Sequence, residues 1–213
     1  MAPTMFSRRP LLLGPLTAAP ALLGAVICST NDQGEVAVRL TEVEAYDGAL
    51  DAGSHAYRGR TARNSVMFGD PGHSYVYFTY GMHHCLNVVC HRAGTAGGVL
   101  LRAGQVVRGE ELARSRRPAA RAARDLARGP ANLAQALGLD LGWGGVDLLE
   151  PGSRLRLERG RRVAPELVAT GPRVGLRAAA EVPWRFWVSG DPTVSAYKAA
   201  AVRTKPAPGP DPR

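Results

Sequence analysis

Ser74-Tyr75-Val76-Tyr77-Phe78-Thr79-Tyr80-Gly81-Met82-His83-His84-Cys85-Leu86-Asn87-Val88-Val89-Cys90 reads as a β-hairpin. Aromatic and β-branched residues fill the flanks, and Gly81-Met82-His83 supplies the tip. Strand alternation puts Tyr75 and Tyr77 on one face of an outgoing strand over 74–80. Tyr80 falls near the tip, where a core residue would be out of place. A return strand over 84–90 completes the hairpin.

The segments around it extend the same pattern. Residues 25–30 and 35–46 form a second strand pair around the turn Asn31-Asp32-Gln33-Gly34, and 99–103 adds a further strand. Residues 47–64 are Gly-rich and polar, a loop of a length that in a compact domain is usually functional. Helical composition covers 109–115 and 118–127, and Gly129-Pro130 opens a helix that runs to Leu137 and stops at Gly138. Late strands are expected at 153–158 and 184–188. There is no internal repeat and no clean linker. The pattern predicts an α+β fold: a single mixed domain with a mainly antiparallel sheet, surrounding helices and a protruding hairpin. The expected boundaries are a disordered leader over 1–19, the domain over 20–200 and a Pro-rich tail over 201–213.

A length of 213 residues suits one domain with a core of its own. The formal net charge is +9, almost all of it arginine, since Lys198 and Lys205 are the only lysines. Such a balance favours an anionic partner, nucleic acid first and a membrane surface second, with plain compositional bias as the alternative. Cys28, Cys85 and Cys90 are odd in number and lack framework spacing, which reads as free thiols in a reducing compartment. Ser7-Arg8-Arg9 ahead of the uncharged run 10–31 resembles a twin-arginine signal or an anchor. Pro10, Pro15, Pro20, Gly14 and Gly24 interrupt that run, which argues against a membrane span of ~20 apolar residues.

Glu42 and Glu44 share one face of a regular strand. Two carboxylates on a core face would be costly, so a polar pocket, a strand end or a bulge is expected there. A pocket glutamate can activate water as a general base, and a solvated strand face is the plainer alternative. Aromatic residues make up only 6% of the chain, so their concentration around Tyr46 and Tyr75–Tyr80 is notable. Rings of this kind can sandwich an extruded base, and a ring on a hairpin tip can wedge between stacked bases. Ordinary core packing is the alternative, and it suits Tyr75 better than Tyr80. His83, His84, Cys85, Cys90 and His91 lack the paired short spacing of a zinc finger, and on one strand Cys85 and Cys90 point to opposite faces, so no metal site is expected. No Gly-rich phosphate loop, no G-x-S-x-G elbow and no lysine near the aromatic cluster is present, so water is the better nucleophile for any glycosidic cleavage.

Several short motifs follow one another along the chain. They include Thr41-Glu42-Val43-Glu44-Ala45-Tyr46, Ser54-His55-Ala56, Arg63-Asn64, Met67-Phe68-Gly69, Tyr75-Val76-Tyr77 and Tyr80-Gly81-Met82. After them come Asn87-Val88-Val89, Val99-Leu100-Leu101-Arg102-Ala103, Gly129-Pro130, Arg173-Val174-Gly175 and Trp184-Arg185-Phe186. Together they resemble the bacterial form of the alkyladenine (methylpurine) DNA glycosylases, over roughly residues 20–198. Asp70 departs from the proline common at that position.

The resemblance implies a monofunctional enzyme that flips alkylated or deaminated purines out of double-stranded DNA. It would hydrolyse the N-glycosidic bond and leave an abasic site. Glu44 would activate the water and Arg102 would help hold the water and the carboxylate. Tyr46 and His55 would form one wall of the base pocket and Tyr77 the other, with Asn87 crowding the exocyclic amine of guanine. Tyr80 would fill the gap left in the stack, and Met82 would touch DNA beside it. No cofactor or metal is implied, and the expected state is a cytoplasmic, nucleoid-associated monomer with no membrane contact. The arginines of 114–128 are a candidate phosphate-binding face, with a solvated helix face as the alternative.

Overall fold

The computed structural model describes residues 4–79 and 81–200. Two short helices come first, Arg8–Leu12 (α1) and Pro15–Leu22 (α2), then the strands Val26–Asn31 (β1) and Gly34–Tyr46 (β2). The hairpin Ser74–Thr79 (β3) and His83–Val89 (β4) leads into Gly98–Arg108 (β5). Glu110–Arg116 (α3), Ala127–Arg128 (β6) and Pro130–Leu137 (α4) follow, then Leu155–Glu158 (β7), Val168–Gly171 (β8) and Arg185–Val188 (β9). The strands share one sheet in the order β3-β4-β5-β2-β1-β7, with β6 on β5 and β9 joining β2 to β8. All of these pairings are antiparallel. The chain is therefore a single α+β domain with a mainly antiparallel sheet, and β3–β4 forms the expected hairpin at one end of it.

β2 sets the layout of the site. Val36, Val38 and Leu40 enter the core, and so do Val43 and Ala45. The inward set changes from even to odd positions between Leu40 and Val43. The pairing with β5 shows why: its register shifts between Leu40 and Glu42 and again between Glu42 and Val43. A β-bulge turns the side chains beyond it to the opposite face. Without it, Glu42 and Glu44 would continue the face of Val36, Val38 and Leu40 into an apolar core, at a high desolvation cost. Gly104 stands across from Leu40, and a Cβ there would collide with the Arg39 carbonyl and the Val38 side chain. Glycine is what lets the two strands close at the bulge. On β5, Val99 and Leu101 face the core while Leu100 and Arg102 face the cavity described below.

The core lies beneath α2 and α4, where Leu22, Leu40, Leu101, Leu133 and Leu137 are fully buried. α4 runs to Leu137 and ends at Gly138 in the left-handed conformation (φ 72°), as its sequence predicts. Three expectations are corrected. Residues 8–19 are not a disordered leader, since α1 and α2 bury Leu11, Ala18 and Ala19, and Arg8 pairs with Asp147 at 2.7 Å. The prolines that read as interruptions open α2 at Pro15 and fit within it at Pro20. Second, 118–127 is not helical: it is a loop with one short turn, Ala123–Asp125, that enters β6 at Ala127, and Arg117 ties it down through the Leu126 carbonyl (3.2 Å) and Gln135 (2.8 Å). Third, β8 was not expected. It is four residues long and only partly buried, so it carries little periodic signal. None of the described helices is long and apolar enough to cross a membrane.

Candidate active site

The bulge delivers Glu42 and Glu44 to one site, both with 0% exposure. Glu44 accepts three hydrogen bonds or charge contacts: the Tyr46 hydroxyl on Oε2 at 2.8 Å, the Val174 amide on Oε1 at 2.7 Å, and Arg102 Nη1 on Oε2 at 3.2 Å. Glu42 takes Arg102 Nε and Arg185 Nε, each at 2.7 Å, with the Ser195 amide at 2.6 Å and its hydroxyl at 2.9 Å. Burial pushes the Glu42 carboxyl up, but Arg102, Arg185 and the Ser195 amide outweigh it and hold it below the usual range. Two carboxylates and two guanidiniums thus balance in a dry setting, where a lone charge would be strongly destabilising.

In front of this network lies a cavity of about 330 Å³, lined by Tyr46, His55, Tyr77, Cys85, Asn87 and Arg102 among others. That volume is near the lower end of small-ligand pockets, ~300–1,000 Å³. Glu44 does not itself line the cavity. It sits one layer behind, held by three groups that do: Tyr46, Arg102 and Val174.

The rings are arranged differently from the expectation. His55 meets Tyr77 edge to face, with centroids 4.6 Å apart and planes at 78°, and Tyr75 lies 5.7 Å from Tyr77. His55 and Tyr77 are in contact, so they form one unit rather than two opposed walls. Tyr46, at the end of β2, lines the same cavity. Arg173 lies over the Tyr46 ring at 4.6 Å and Arg63 over Tyr77 at 5.8 Å. Burial and the nearby Arg63 charge lower the His55 pKa, so the imidazole is neutral at pH 7. Burial, followed by the Glu44 charge, raises the Tyr46 phenol well above its ordinary value, which keeps it a proton donor to Glu44. Asn87 is buried and donates from Nδ2 to the Tyr75 carbonyl at 3.2 Å. Met82 is 68% exposed beyond β3. Tyr80, the expected wedge, lies outside the described residues.

The loop over 47–64 is irregular apart from short turns, as its composition suggests. Asn64 closes it by donating to the His55 and Gly59 carbonyls (2.9 and 3.0 Å), which fixes His55 at the cavity. Asp51 anchors its other end to Arg173, with oxygens 2.5 and 2.7 Å from the two terminal nitrogens. Arg173 also donates to the Ala45 carbonyl at 2.9 Å, and its Nε is the one buried side-chain polar atom without a partner among the described residues. Asp51, Arg173, Val174, Arg185 and Ser195 were not expected at the site. A buried arginine has no sequence pattern of its own, although Arg173 and Arg185 lie within motifs that carry the family resemblance.

The arginines of 114–128 mostly serve the fold. Arg114 pairs with Glu110, Arg116 holds the Ala136 carbonyl, and Arg128 holds the Val194 carbonyl. Arg121 and Arg124 are exposed. The three cysteines are free and buried. Burial raises their pKa values, that of Cys28 to about 12. Cys90 belongs to the core and Cys85 to the cavity wall, and no group of three or more potential metal ligands occurs among the described residues.

A buried carboxylate paired with a guanidinium in the wall of a ring-lined cavity, on a sheet with an edge hairpin, defines a class that sequence comparison identifies. The chain belongs to the methylpurine-DNA glycosylase family, which it matches over residues 11–192. It is 55% identical over 192 residues to a protein of Streptomyces avermitilis provisionally named a 3-methyladenine DNA glycosylase, covering 89% of this chain and 90% of the relative. A Nocardia farcinica protein of the same name is 51% identical over 204 residues (93% and 92%), and a Mycobacterium tuberculosis one 47% over 195 (88% and 92%).

Proposed function

We propose that this chain is a DNA repair glycosylase that removes alkylated purines, 3-methyladenine among them, and deaminated purines from double-stranded DNA by hydrolysis. The observation that carries the reading is the Glu44–Arg102 pair, with Arg102 in the wall of the ring-lined cavity and Glu44 directly behind it. The damaged nucleotide swings out of the duplex, and its base enters between Tyr46 and the His55–Tyr77 unit. Flipping costs a few kcal/mol and costs least for a poorly stacked, damaged base. An alkylated purine is cationic, and each electron-rich ring face favours it by ~0.5–2 kcal/mol. A water admitted between Tyr46 and Arg102 is aimed at the sugar carbon and gives its proton to Glu44 as the base departs. A cationic alkylated purine leaves as a neutral base, whereas a deaminated purine leaves as an anion and takes up a proton from solvent. The ionised Glu44 also stabilises the positive charge that develops on the sugar. His55, neutral at pH 7, contributes shape and stacking rather than a proton. Asn87 crowds the amine that distinguishes guanine, Tyr80 fills the gap in the stack, and Met82 touches the DNA beside it.

The enzyme works as a monomer without lyase activity, so its product is an intact strand with an abasic site. Duplexes carrying 3-methyladenine, 7-methylguanine, ethenoadenine or hypoxanthine should lose free base and break only after alkali. Strand breaks at neutral pH would contradict the hydrolytic reading. The complete burial of Glu44 favours one other reading, a protein that holds lesions without cutting them, and absence of base release in a single turnover would establish it.

A further inference from the structure

We propose that Glu42 is a positioning residue for Arg102, sharing its guanidinium so that Arg102 steadies Glu44 without neutralising it. This rests on the proposed glycosylase reading. Glu42 is fully buried and does not line the cavity, so it cannot touch a bound base. What it touches is Arg102. Three contacts fix that guanidinium: Nε to Glu42 at 2.7 Å, Nη1 to Glu44 at 3.2 Å, and Nη2 to the Ser195 hydroxyl at 3.4 Å. The shortest, and the one that sets the plane of the fork, is to Glu42.

Glu42 is itself immobilised. Arg185 and both polar groups of Ser195 bind it from strand β9 and the segment that follows. The charges alternate in a buried series, Arg185, Glu42, Arg102, Glu44. Replacing such a network with apolar side chains is often neutral or stabilising, so stability alone gives no reason for it. The geometry supplies one. Without the Glu42 charge, Arg102 has a single carboxylate left within reach. It would close the 3.2 Å gap to Glu44, and a tightly paired Glu44 is a weaker proton acceptor.

The test is a double-mutant cycle on the full chain, read as single-turnover release of 3-methyladenine from methylated duplex DNA at saturating enzyme. Glu42→Gln should slow release ~10–100-fold, the same order as the loss of a group that orients a metal ligand. Its affinity for the duplex should stay near that of the wild type. Glu42→Asp should recover part of the rate. In an Arg102→Gln background, Glu42→Gln should have no further effect, because its role passes through Arg102. If Glu42→Gln does not fold, Ser195→Ala loosens the same carboxylate without removing a charge and takes its place in the cycle. Wild-type release by the Glu42 or Ser195 variant would overturn the proposal, as would an effect that adds in full to Arg102→Gln. Absence of release by the wild-type protein would instead sink the glycosylase reading itself.

Discussion

Asp51→Asn should destabilise this protein severely although it lies outside the regular sheet. Arg173 is buried and its two terminal nitrogens face Asp51 at 2.5 and 2.7 Å, with both side chains at 0% exposure. Removing one partner of such a pair leaves a buried charge uncompensated, at a cost of ~3–5 kcal/mol. For a chain of this size that corresponds to a fall in Tm of ~6–20 °C. Arg173→Met should cost a similar amount, because it strands Asp51. Combined, the two substitutions remove both charges, so their joint cost should fall short of the sum by ~2 kcal/mol or more. Urea denaturation of the four proteins measures this directly. Base release should fall as well, since Val174, next to Arg173, donates to Glu44 at 2.7 Å, and Arg173 backs the Tyr46 ring. Single substitutions costing under ~1 kcal/mol, or costs that add in full, would refute the claim that this pair fastens the loop to the site.

Tyr46→Phe keeps the ring and removes the 2.8 Å bond to Glu44, so single-turnover release should slow by ~10–150-fold, the equivalent of a charged hydrogen bond, with lesion affinity kept. An unchanged rate would show that the hydroxyl has no part in the chemistry. Gly104→Ala forces a methyl group against the Arg39 carbonyl at the bulge and should cost at least ~1–3 kcal/mol, read as a lower urea midpoint. A wild-type midpoint would mean that the bulge is soft. In Glu42, Glu158 and Asp191, burial raises the carboxyl pKa but is outweighed, by Arg102 and Arg185 in the first, Arg108 in the second and Thr193 in the third. Each therefore binds a proton less readily folded than unfolded. The stability they contribute is present above their ordinary values of 4.5 and 3.8 and is lost as pH falls through the lowered ones. Tm should therefore drop steeply below about pH 4.5, with a shallow earlier loss below 6.5 from His55, which resists protonation when folded. A Tm that holds or rises through this range would contradict the pairing that holds these carboxylates below their ordinary range.

The hairpin was legible because Tyr75, Val76, Tyr77, Val88 and Val89 alternate around a glycine turn, a local signal that needs no tertiary context. β2 was legible for the same reason, and Glu42 with Glu44 even announced a break in it, since two carboxylates cannot follow a core face. Which device resolves the conflict is set by the partner strand, where Gly104 permits the bulge, and periodicity within β2 does not contain that. The order of residues 8–19 is not legible locally, because α1 and α2 are short and are held by packing, burying Leu11, Ala18 and Ala19 against the rest of the domain. Arg116, Arg117 and Arg128 looked like a charged face because sequence shows a charge but not the carbonyl it caps. Arg173 was out of reach for a related reason: its burial depends on Asp51, 122 positions away.

Glu44→Gln tests the account most directly. The substitution keeps the shape and a carbonyl acceptor and removes the charge that accepts the proton. Lesion-duplex affinity should stay within a few-fold of wild type, while single-turnover release of 3-methyladenine should fall by ~10²–10⁴-fold, the usual contribution of a general base. Release at the wild-type rate by Glu44→Gln would contradict the assignment of Glu44 as the group that activates water.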